Sequence, residues 1–338
     1  MALQEQSDET VKYNLSPFIS HDQDFEFECS SASSFRVDNL RRNLDFWKNT
    51  LNANNFVLNV VEFGYLIPFY KLPPSAFLKN NSSAIKHTSF VESSIIELLS
   101  TGVIREVKDH IPFIVNPLSV SVNDSGKKRL ILDLRHVNKF NEKRKFKYEG
   151  VTEALQFVSN PGFLIKFDLK CGYHHINIHE DHQEFLGFCW VFPTGTRYFV
   201  FRCLPFGLST AGHVFSKVLR PLVKHWRSQG YRMIIYLDDG WGIESSFEDC
   251  VKLSKVVKHD LLSAGFFLNH EKSIWDPTKV LTWLGFRWHL DTFNLEIPED
   301  KIERFKATID DIFSNINNIT ARQLARVTGK IISFIPSF

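Results

Sequence analysis

Two adjacent carboxylates between two apolar strands constrain this chain more than any other feature of its sequence. In the segment Tyr236-Leu237-Asp238-Asp239-Gly240, the last three residues lie between the apolar runs 233–237 and 241–243, which predicts a β-hairpin with Asp238, Asp239 and Gly240 at its tip. Neighbouring aspartates repel each other, a cost that a divalent cation removes and that an Asn-Gly turn avoids. A metal site and an ordinary surface Asp-Gly turn are both open interpretations of this segment alone.

A third carboxylate favours the metal site. Asp168 lies at the end of a short apolar strand predicted over residues 162–169, and the end of a strand can present a carboxylate to a neighbouring hairpin. Three aspartates from two strands can hold two magnesium ions, with manganese as a substitute, and we assign the metal set to Asp168, Leu169, Asp238 and Asp239. Two ions about 4 Å apart activate an attacking hydroxyl and stabilise a leaving pyrophosphate, which predicts phosphoryl transfer.

Length and composition predict a globular protein of two or three subdomains and argue against a membrane-spanning or a secreted protein. A length of 338 residues with 43% hydrophobic content suffices for two or three buried subdomains. The 32 Phe residues against 16 Gly and 13 Pro predict dense cores with few linkers. No apolar run approaches a membrane span, and residues 1–10 lack the basic and apolar regions of a secretory signal. We therefore expect an intracellular protein, cytoplasmic with access to the nucleus, that does not contact a membrane.

Cysteine and charge patterns leave nucleic-acid binding to local clusters. The five cysteines include no C-x-x-C pair, which favours reduced thiols over a disulfide framework or a ribbon-type zinc site. The net charge of +2 indicates little by itself. Nine basic residues against two acidic ones lie within residues 127–147, however. This basic segment is either a solvated surface or a nucleic-acid contact.

Hydrophobic periodicity predicts a mixed α and β chain. A strand-like segment at residues 56–69 follows the predicted helix at 39–51, and Pro73-Pro74 then interrupts regular structure. Two further hairpins are predicted, over 113–122 with 129–134 and over 185–191 with 197–202. The predicted helices are residues 39–51, 89–99, 207–226, 247–264, 298–316 and 320–334.

Six segments resemble the motifs of the reverse transcriptases and stand in that family's order. They are residues 128–138, 167–176, 204–209, 236–239, 265–272 and 283–286, and the resemblance covers about residues 77–333. Residues 46–69 and 327–332 look like the DIRS-like, tyrosine-recombinase-bearing retrotransposons more than a retrovirus.

The resemblance implies an α+β right-hand polymerase whose antiparallel palm sheet is backed by helices. We expect a mobile N-terminal arm at residues 1–36 and an N-terminal extension at 37–76. The fingers then occupy 77–160, and the palm occupies 161–275 with a fingers insertion at 179–203. A primer-grip hairpin at 276–297 and a partial thumb or connection at 298–338 complete the chain.

The resemblance also implies roles for residues around the aspartates. Lys128 and Arg129 pair with triphosphate oxygens, and Phe206 and Gly207 lie where template or nucleotide backbone approaches. Tyr173 leaves no room for a 2′-hydroxyl, which implies deoxynucleotide selection; a core aromatic is the alternative. The primer grip is assigned to Trp283, Leu284 and Gly285.

Two residues of the resemblance carry open alternatives. Lys272 is either a general acid for pyrophosphate or an exposed structural lysine. Gly212-His213 stand where sequences that this chain resembles usually contain a proline. The exact start of the helix predicted over residues 207–226 therefore stays open.

The implied partners are an RNA or DNA template with its primer, deoxynucleoside triphosphates, and the RNase H and recombinase domains of a longer polyprotein. An RNA-dependent RNA polymerase shares the palm and the paired aspartates, and Tyr173 argues against it. A truncated or domesticated copy that binds nucleic acid without catalysis is the second alternative, and the presence of all three aspartates disfavours it.

A tight group of zinc-compatible side chains needs a separate interpretation. These are Cys171, His174, His175, His179 and His182. A structural zinc site needs four converging ligands with supporting hydrogen bonds, whereas several of these residues adjoin the predicted nucleotide pocket. We interpret them as pocket and palm residues.

Overall fold

The computed structural model describes residues 35–123, 126–142, 146–314 and 319–334. The predicted mobile arm therefore lies outside the described residues, apart from Phe35 and Arg36, and Phe35 is buried with 4% exposure. Asp124 and Ser125 of the first predicted hairpin, together with Lys143, Arg144 and Lys145 of the basic segment, also lie outside the described residues.

Fourteen strands are present in these ranges: β1 Ala76–Phe77, β2 Ile104–Val107, β3 Ile114–Val115, β4 Leu118–Val122, β5 Lys128–Leu132, β6 Phe163–Asp168, β7 Gly187–Phe192, β8 Gly195–Phe201, β9 Arg232–Tyr236, β10 Asp239–Glu244, β11 Ile274–Thr278, β12 Val280–Trp283, β13 Phe286–His289 and β14 Asn294–Glu296. The α-helices in the same ranges are α1 Asn39–Arg42, α2 Asn55–Phe63, α3 Ser82–Lys86, α4 Thr88–Ser100, α5 Arg135–Asn138, α6 Val151–Leu155, α7 Glu180–Gln183, α8 Ala211–Ser228, α9 Phe247–Ser263, α10 Glu299–Ser314 and α11 Ala321–Ile332. A π-helical turn, Phe46–Thr50, and two 3₁₀ turns, Gly172–His175 and Glu184–Leu186, complete the helical segments described. None of the described helices is both long and apolar enough to cross a membrane.

The sheet that carries the aspartates has the strand order β11-β6-β10-β9 and is antiparallel throughout. The helices α8 and α9 pack against it, and each buries an apolar face at helical spacing, such as Val214, Val218 and Leu222 of α8. Helix α8 begins at Ala211, four residues after the predicted start at Gly207. The intervening residues instead turn the chain from β8 towards the helix.

A second, five-stranded sheet has the order β1-β3-β7-β8-β2 and mixes parallel and antiparallel pairs. The strand predicted over residues 113–122 is divided at Asn116-Pro117 into β3, which joins this sheet, and β4, which pairs with β5 in a separate hairpin. Asn116 is fully buried and its Nδ2 donates hydrogen bonds to the carbonyls of Phe185 and Gly187. The division allows the β4-β5 hairpin, with Lys128 and Arg129, to leave the sheet.

A third sheet, β12-β13-β14, is an antiparallel meander that follows β11. It covers a second core cluster in which Trp241 of β10 packs against Trp283 and Trp288, with ring centroids 5.7 Å and 5.1 Å away. The meander is therefore anchored to the strand that begins at Asp239.

The prediction of strand-like structure over residues 56–69 is wrong for its first half, which forms helix α2. Val57, Val60 and Val61 have helical spacing and are buried, and the Asn54 side chain caps the helix by accepting a hydrogen bond from the Val57 N–H at 3.0 Å. The β-branched residues suggested a strand, but tertiary burial of one helical face decides the conformation.

Candidate active site

The fold brings the three predicted aspartates to one edge of the β11-β6-β10-β9 sheet. Asp168, the last residue of β6, lies directly opposite Asp239, the first residue of β10. Asp238 lies in the adjoining turn, and its carbonyl accepts a hydrogen bond of 2.8 Å from the Leu169 N–H. The four residues assigned to the metal set are thus neighbours in space, although 70 residues separate Asp168 from Asp238 in sequence.

The hairpin tip differs by one residue from the prediction. Asp239 pairs with Tyr236, so that the turn is Leu237-Asp238, and Leu237 adopts a left-handed φ of 56°. Gly240 is not a turn residue: it continues β10, and a Cβ at that position would lie 2.2 Å from the Phe167 ring. The glycine is required because an aromatic side chain of β6 covers its Cα, and the turn instead tolerates a strained leucine.

Asp168 is held by residues that follow α9 in sequence. Its Oδ1 accepts a 2.8 Å hydrogen bond from Asn269 Nδ2, its backbone N–H donates to Ser273 Oγ at 3.1 Å, and Lys272 Nζ lies 3.3 Å from Oδ2. The sequence predicted Lys272 as a site residue but not Asn269 or Ser273. The sequence feature that could have indicated these two residues is the polar turn directly after the apolar run 266–268. Leu268 of that run forms a β-bridge with Leu169, next to Asp168.

Burial and mutual repulsion disfavour the charged forms of the paired aspartates. Burial raises the pKa of Asp239 to about 7, with Asp168 and Asp238 adding to the effect and the Lys166 ammonium opposing it. Burial also raises the pKa of Asp238, and Asp168 adds to that shift while Lys272 and Arg129 oppose it. Burial is the larger cause of both shifts, and the neighbouring carboxylates add to it.

The chemical type of the oxygen ligands at the three aspartates suits a hard divalent cation. Carboxylate and carbonyl oxygens are the ligands that magnesium prefers, and the raised pKa values of Asp238 and Asp239 indicate a place where added positive charge is favourable. Within the described residues, no three His, Cys, Asp or Glu side chains are grouped so that they could hold a metal ion. Asp168 instead directs its carboxylate to Lys272 and Asn269.

A cavity of about 630 Å³ opens between the β4-β5 hairpin and the aspartates. Of the predicted site residues, it is lined by Lys128, Arg129, Asp168, Leu169, Tyr173, Phe206, Asp238 and Lys272. Lys128 and Arg129 are exposed, so their side chains can reach an anionic ligand in the cavity. A second cavity, of about 660 Å³, follows α8 away from the carboxylates and shares only Leu237 with the first.

Gly207 does not line this cavity but fixes the segment that does. Its φ of 111° is left-handed, and a Cβ there would lie 2.2 Å from the Leu132 carbonyl oxygen. Asn138 Nδ2 donates a 2.8 Å hydrogen bond to the Gly207 carbonyl. The predicted close backbone approach at Gly207 is therefore to strand β5, next to Phe206, which is 47% exposed at the cavity.

Tyr173 projects from the 3₁₀ turn that directly follows β6. Its ring packs against Phe206 and Phe215 at centroid distances of 5.2 Å and 5.4 Å. Burial raises the pKa of Tyr173 to about 12, with smaller contributions from Tyr148 and Asp238, so the phenol is neutral. The ring is half-buried at the cavity wall beside the aspartates.

The arrangement matches a known family in sequence. The family model described as reverse transcriptase (RNA-dependent DNA polymerase) matches residues 120–288, which is half of the chain. The chain belongs to this family. The matched residues include the hairpin β4-β5 from Val120 onwards, all three aspartates and the β12-β13 hairpin as far as Trp288.

Curated relatives of the family are much longer proteins. The genome polyprotein of Petunia vein clearing virus is 27% identical over 226 residues, which are 67% of this chain and 10% of that protein. The retrovirus-related Pol polyprotein from transposon gypsy of Drosophila melanogaster is 26% identical over 202 residues, 59% of this chain and 19% of that protein. The chain thus spans between a tenth and a fifth of the length of these relatives.

Solved reverse transcriptases share the fold. The foamy viral protease-reverse transcriptase in complex with double-stranded DNA has a TM-score of 0.60 at 21% identity, covering 85% of this chain and 51% of that one. The same enzyme with an RNA/DNA hybrid gives 0.57 at 19% identity, covering 85% and 39%. These likenesses confirm the predicted α+β polymerase fold, with an antiparallel sheet backed by helices.

In this member of the reverse transcriptase family, the segment predicted as the primer grip is the tight turn between β12 and β13. Trp283 is 1% exposed and belongs to the tryptophan cluster, whereas Leu284 and Gly285 form the turn with φ values of 47° and 78°. The Gly285 carbonyl accepts a 3.0 Å hydrogen bond from Lys301 Nζ. Of the three residues predicted for the primer grip, only Leu284 and Gly285 are partly exposed.

The zinc-compatible side chains have separate structural partners. His175 is buried between the Gly172 carbonyl and the Phe267 N–H, and His182 Nδ1 accepts a hydrogen bond from the Ile67 N–H. His174 lies edge-on to Phe206, 5.9 Å away. His179 Nδ1 accepts from the Asp181 N–H, and Cys171 is an exposed free thiol at the cavity.

Proposed function

We propose that this chain is the polymerase domain of a retroelement reverse transcriptase, which adds deoxynucleotides to a primer 3′ end on an RNA or DNA template. The observation that carries the proposal is the pairing of Asp168 opposite Asp239, with Asp238 at the adjoining turn. Asp168 and Asp238 line the same cavity as Lys128 and Arg129. Membership of the family supports it.

The proposed magnesium site consists of the Asp168, Asp238 and Asp239 carboxylates with the backbone of Leu169, and manganese is the expected substitute. Two ions bound there would polarise the attacking hydroxyl and the leaving pyrophosphate. The chain itself supplies the binding groups. Arg129 offers a planar fork and Lys128 a point charge to the triphosphate oxygens. We propose Lys272, whose Nζ lies 3.3 Å from Asp168 Oδ2, as the proton donor to pyrophosphate once the bound ions take over the Asp168 carboxylate.

The proposed substrates are deoxynucleoside triphosphates. We propose that the Tyr173 ring, which lines the cavity beside Asp168 and Asp238, excludes a ribose 2′-hydroxyl. The ring is supported by Phe206 and Phe215, so it cannot easily move aside. This feature also separates the proposal from an RNA-dependent RNA polymerase, which must accept that hydroxyl.

The proposed setting is a longer polyprotein in the cell, with access to the nucleus. The matched relatives are polyproteins, which supports covalently linked domains, and we propose RNase H and recombinase domains of the DIRS-like type. Solved relatives are titled as complexes with double-stranded DNA and with an RNA/DNA hybrid, which supports a template-primer duplex as the partner.

Replacing Asp238 by asparagine tests the proposed catalysis. We expect Asp238→Asn to lower magnesium-dependent primer extension on a homopolymer template by at least about a hundredfold, because one ligand charge is lost. Asp276→Asn is the matched control, since Asp276 is an exposed aspartate on β11 of the same sheet. Circular dichroism should show an unchanged fold in both variants.

Equal extension by Asp238→Asn and the wild type would remove the proposed role of Asp238. If the wild-type chain binds a template-primer duplex but does not extend it with either magnesium or manganese, the alternative of a nucleic-acid-binding copy without catalysis is correct. The ion pair between Lys272 and Asp168 is the feature that favours this alternative.

Replacing Tyr173 tests the proposed substrate choice. We expect Tyr173→Val to lower the ratio of kcat/KM for deoxynucleotides over ribonucleotides by about tenfold or more, because the side chain no longer fills the space of the 2′-hydroxyl. Tyr173→Phe retains the ring and should retain the ratio. Equal discrimination by Tyr173→Val and the wild type would refute the steric role.

A further inference from the structure

The first turn of α8 contains a glycine that touches two tyrosine hydroxyls. A Cβ built on Gly212 would lie 2.0 Å from the Tyr148 hydroxyl oxygen and 3.4 Å from that of Tyr173. The Tyr148 hydroxyl therefore fills the position that a side chain would need, and only glycine fits beside it.

Tyr148 contacts the catalytic hairpin on its other side. Its ring lies 5.0 Å from the ring of Tyr236, the residue that precedes the Leu237-Asp238 turn and pairs with Asp239. Phe146 packs edge-on against Tyr148 at 4.3 Å. Tyr148 is thus wedged between the strand that leads into the aspartates and the helix that begins beside Tyr173.

The two tyrosines are coupled through Gly212. Phe206 and Phe215 pack against the Tyr173 ring, while its hydroxyl oxygen lies 3.4 Å from the position that a Cβ of Gly212 would take. A shift of Gly212 would move the support of the Tyr173 hydroxyl.

We propose that Tyr148 is a positioning residue that sets the selectivity for deoxynucleotides by holding the Gly212 backbone, and through it the Tyr173 ring. The inference rests on the proposed polymerase function and on the steric role of Tyr173. Because discrimination against a single hydroxyl depends on displacements well under the size of an atom, a residue that never touches the nucleotide can control it.

The test compares kcat/KM for a deoxynucleotide and its ribonucleotide on one template-primer duplex. We expect Gly212→Ala to lower the ratio about tenfold, because its methyl group displaces Tyr148. The double variant Tyr148→Phe/Gly212→Ala should recover to within about threefold of the wild type, since removing the hydroxyl makes room for the methyl group. Tyr148→Leu, which loses the ring contacts with Tyr236, should also lower the ratio about tenfold.

Gly329→Ala is the matched control, because Gly329 is a helical glycine of α11 with open space where a Cβ would be. Its discrimination ratio should equal that of the wild type. If Gly212→Ala does not fold, as judged by circular dichroism, the ratios of the double variant and Tyr148→Leu still decide. A wild-type ratio in Tyr148→Leu, or a double variant no better than Gly212→Ala, overturns the inference.

Tyr173→Val separates this inference from the proposed function. If Tyr173→Val loses discrimination while Tyr148→Leu keeps it, the inference fails and the polymerase assignment stands. If neither tyrosine affects the ratio although extension proceeds, both the inference and the steric role of Tyr173 fail. If the wild type extends no primer, the proposed function itself fails.

Discussion

His175 lies in the core with both ring nitrogens engaged. Nε2 accepts a 2.9 Å hydrogen bond from the Phe267 N–H, and Nδ1 therefore carries the proton that it donates to the Gly172 carbonyl at 2.9 Å. Phe35 and Phe266 pack against the ring. Protonation would place a second N–H against the Phe267 N–H, so burial and this arrangement hold the imidazole neutral, and burial lowers its pKa to about 4.

The free energy of unfolding should therefore depend on pH through His175. The unfolded chain takes up a proton below pH 6.5 and the native His175 does so only near pH 4, so stability is lost as the pH falls between these values. From pH 7.5 to pH 5.5 the wild type should lose about 1 kcal/mol more than His175→Gln, measured by urea unfolding.

Glutamine is the matched replacement because its amide can donate to the Gly172 carbonyl and accept from the Phe267 N–H without titrating. His174, whose pKa burial also lowers to about 4, is retained in both proteins and cancels in the comparison. The same pH dependence in the wild type and in His175→Gln would mean that His175 is charged in the folded chain or is not buried.

Site residues within one short motif could be predicted from the sequence, whereas partners that are distant in sequence could not. Asp168, Asp238 and Asp239 lie within short motifs at the ends of predicted strands, so the local sequence was enough to predict them as site residues. Asn269 was missed as a partner of Asp168 because 101 residues separate the two, and a β-bridge between β6 and the segment after α9 brings them together. Tyr148 and Gly240 were missed for the same reason: their roles depend on side chains of other elements that fill the space beside a glycine.

At the scale of elements, predictions held where periodicity was long and capping agreed with it. Helix α9 was predicted over residues 247–264 and occurs at Phe247–Ser263, with the Ser246 side chain accepting from the Asp249 N–H. Helix α2 was predicted as a strand because five of its nine residues are Val or Phe and it carries no charge before Glu62. Its burial pattern, at positions 57, 60 and 61, only becomes visible once the partner surface is known.

The cap of α2 can be tested directly. Asn54→Ala should lower the free energy of unfolding by about 1 kcal/mol, because the Val57 N–H loses the acceptor that now lies 3.0 Å away. Asn55→Ala is the matched control, since Asn55 is the exposed first residue of the helix and alanine favours helix. Chemical denaturation of both variants gives the comparison, and equal stability would show that the cap contributes nothing to the fold.

At the scale of the molecule, the predicted N-terminal extension shares a hydrophobic core with the sheet that carries the aspartates. The predicted boundary lies at residue 77, and the described residues on both sides of it belong to one compact unit. Trp47 of the extension is fully buried, its Nε1 donates a 2.9 Å hydrogen bond to the Ala264 carbonyl at the end of α9, and its ring meets Phe266. Sequence patterns separate segments by breaks such as Pro73-Pro74, whereas contacts across 217 residues, as here, follow from packing alone.

Because the core is shared, a substitution that destabilises the predicted N-terminal extension should lower the free energy of unfolding of the whole unit. Trp47→Ala removes a large buried side chain and leaves the Ala264 carbonyl without its donor, so we expect a loss of about 4 kcal/mol of unfolding free energy. Trp47→Phe keeps most of the packing and should lose only about 1 to 2 kcal/mol, chiefly from the hydrogen bond. Far-UV circular dichroism and tryptophan fluorescence should report the same single transition in both variants, shifted to lower denaturant. A second, earlier transition in Trp47→Ala, with the remaining structure melting at the wild-type midpoint, would show instead that the extension folds as a separate domain and that its contact with α9 adds little to the palm.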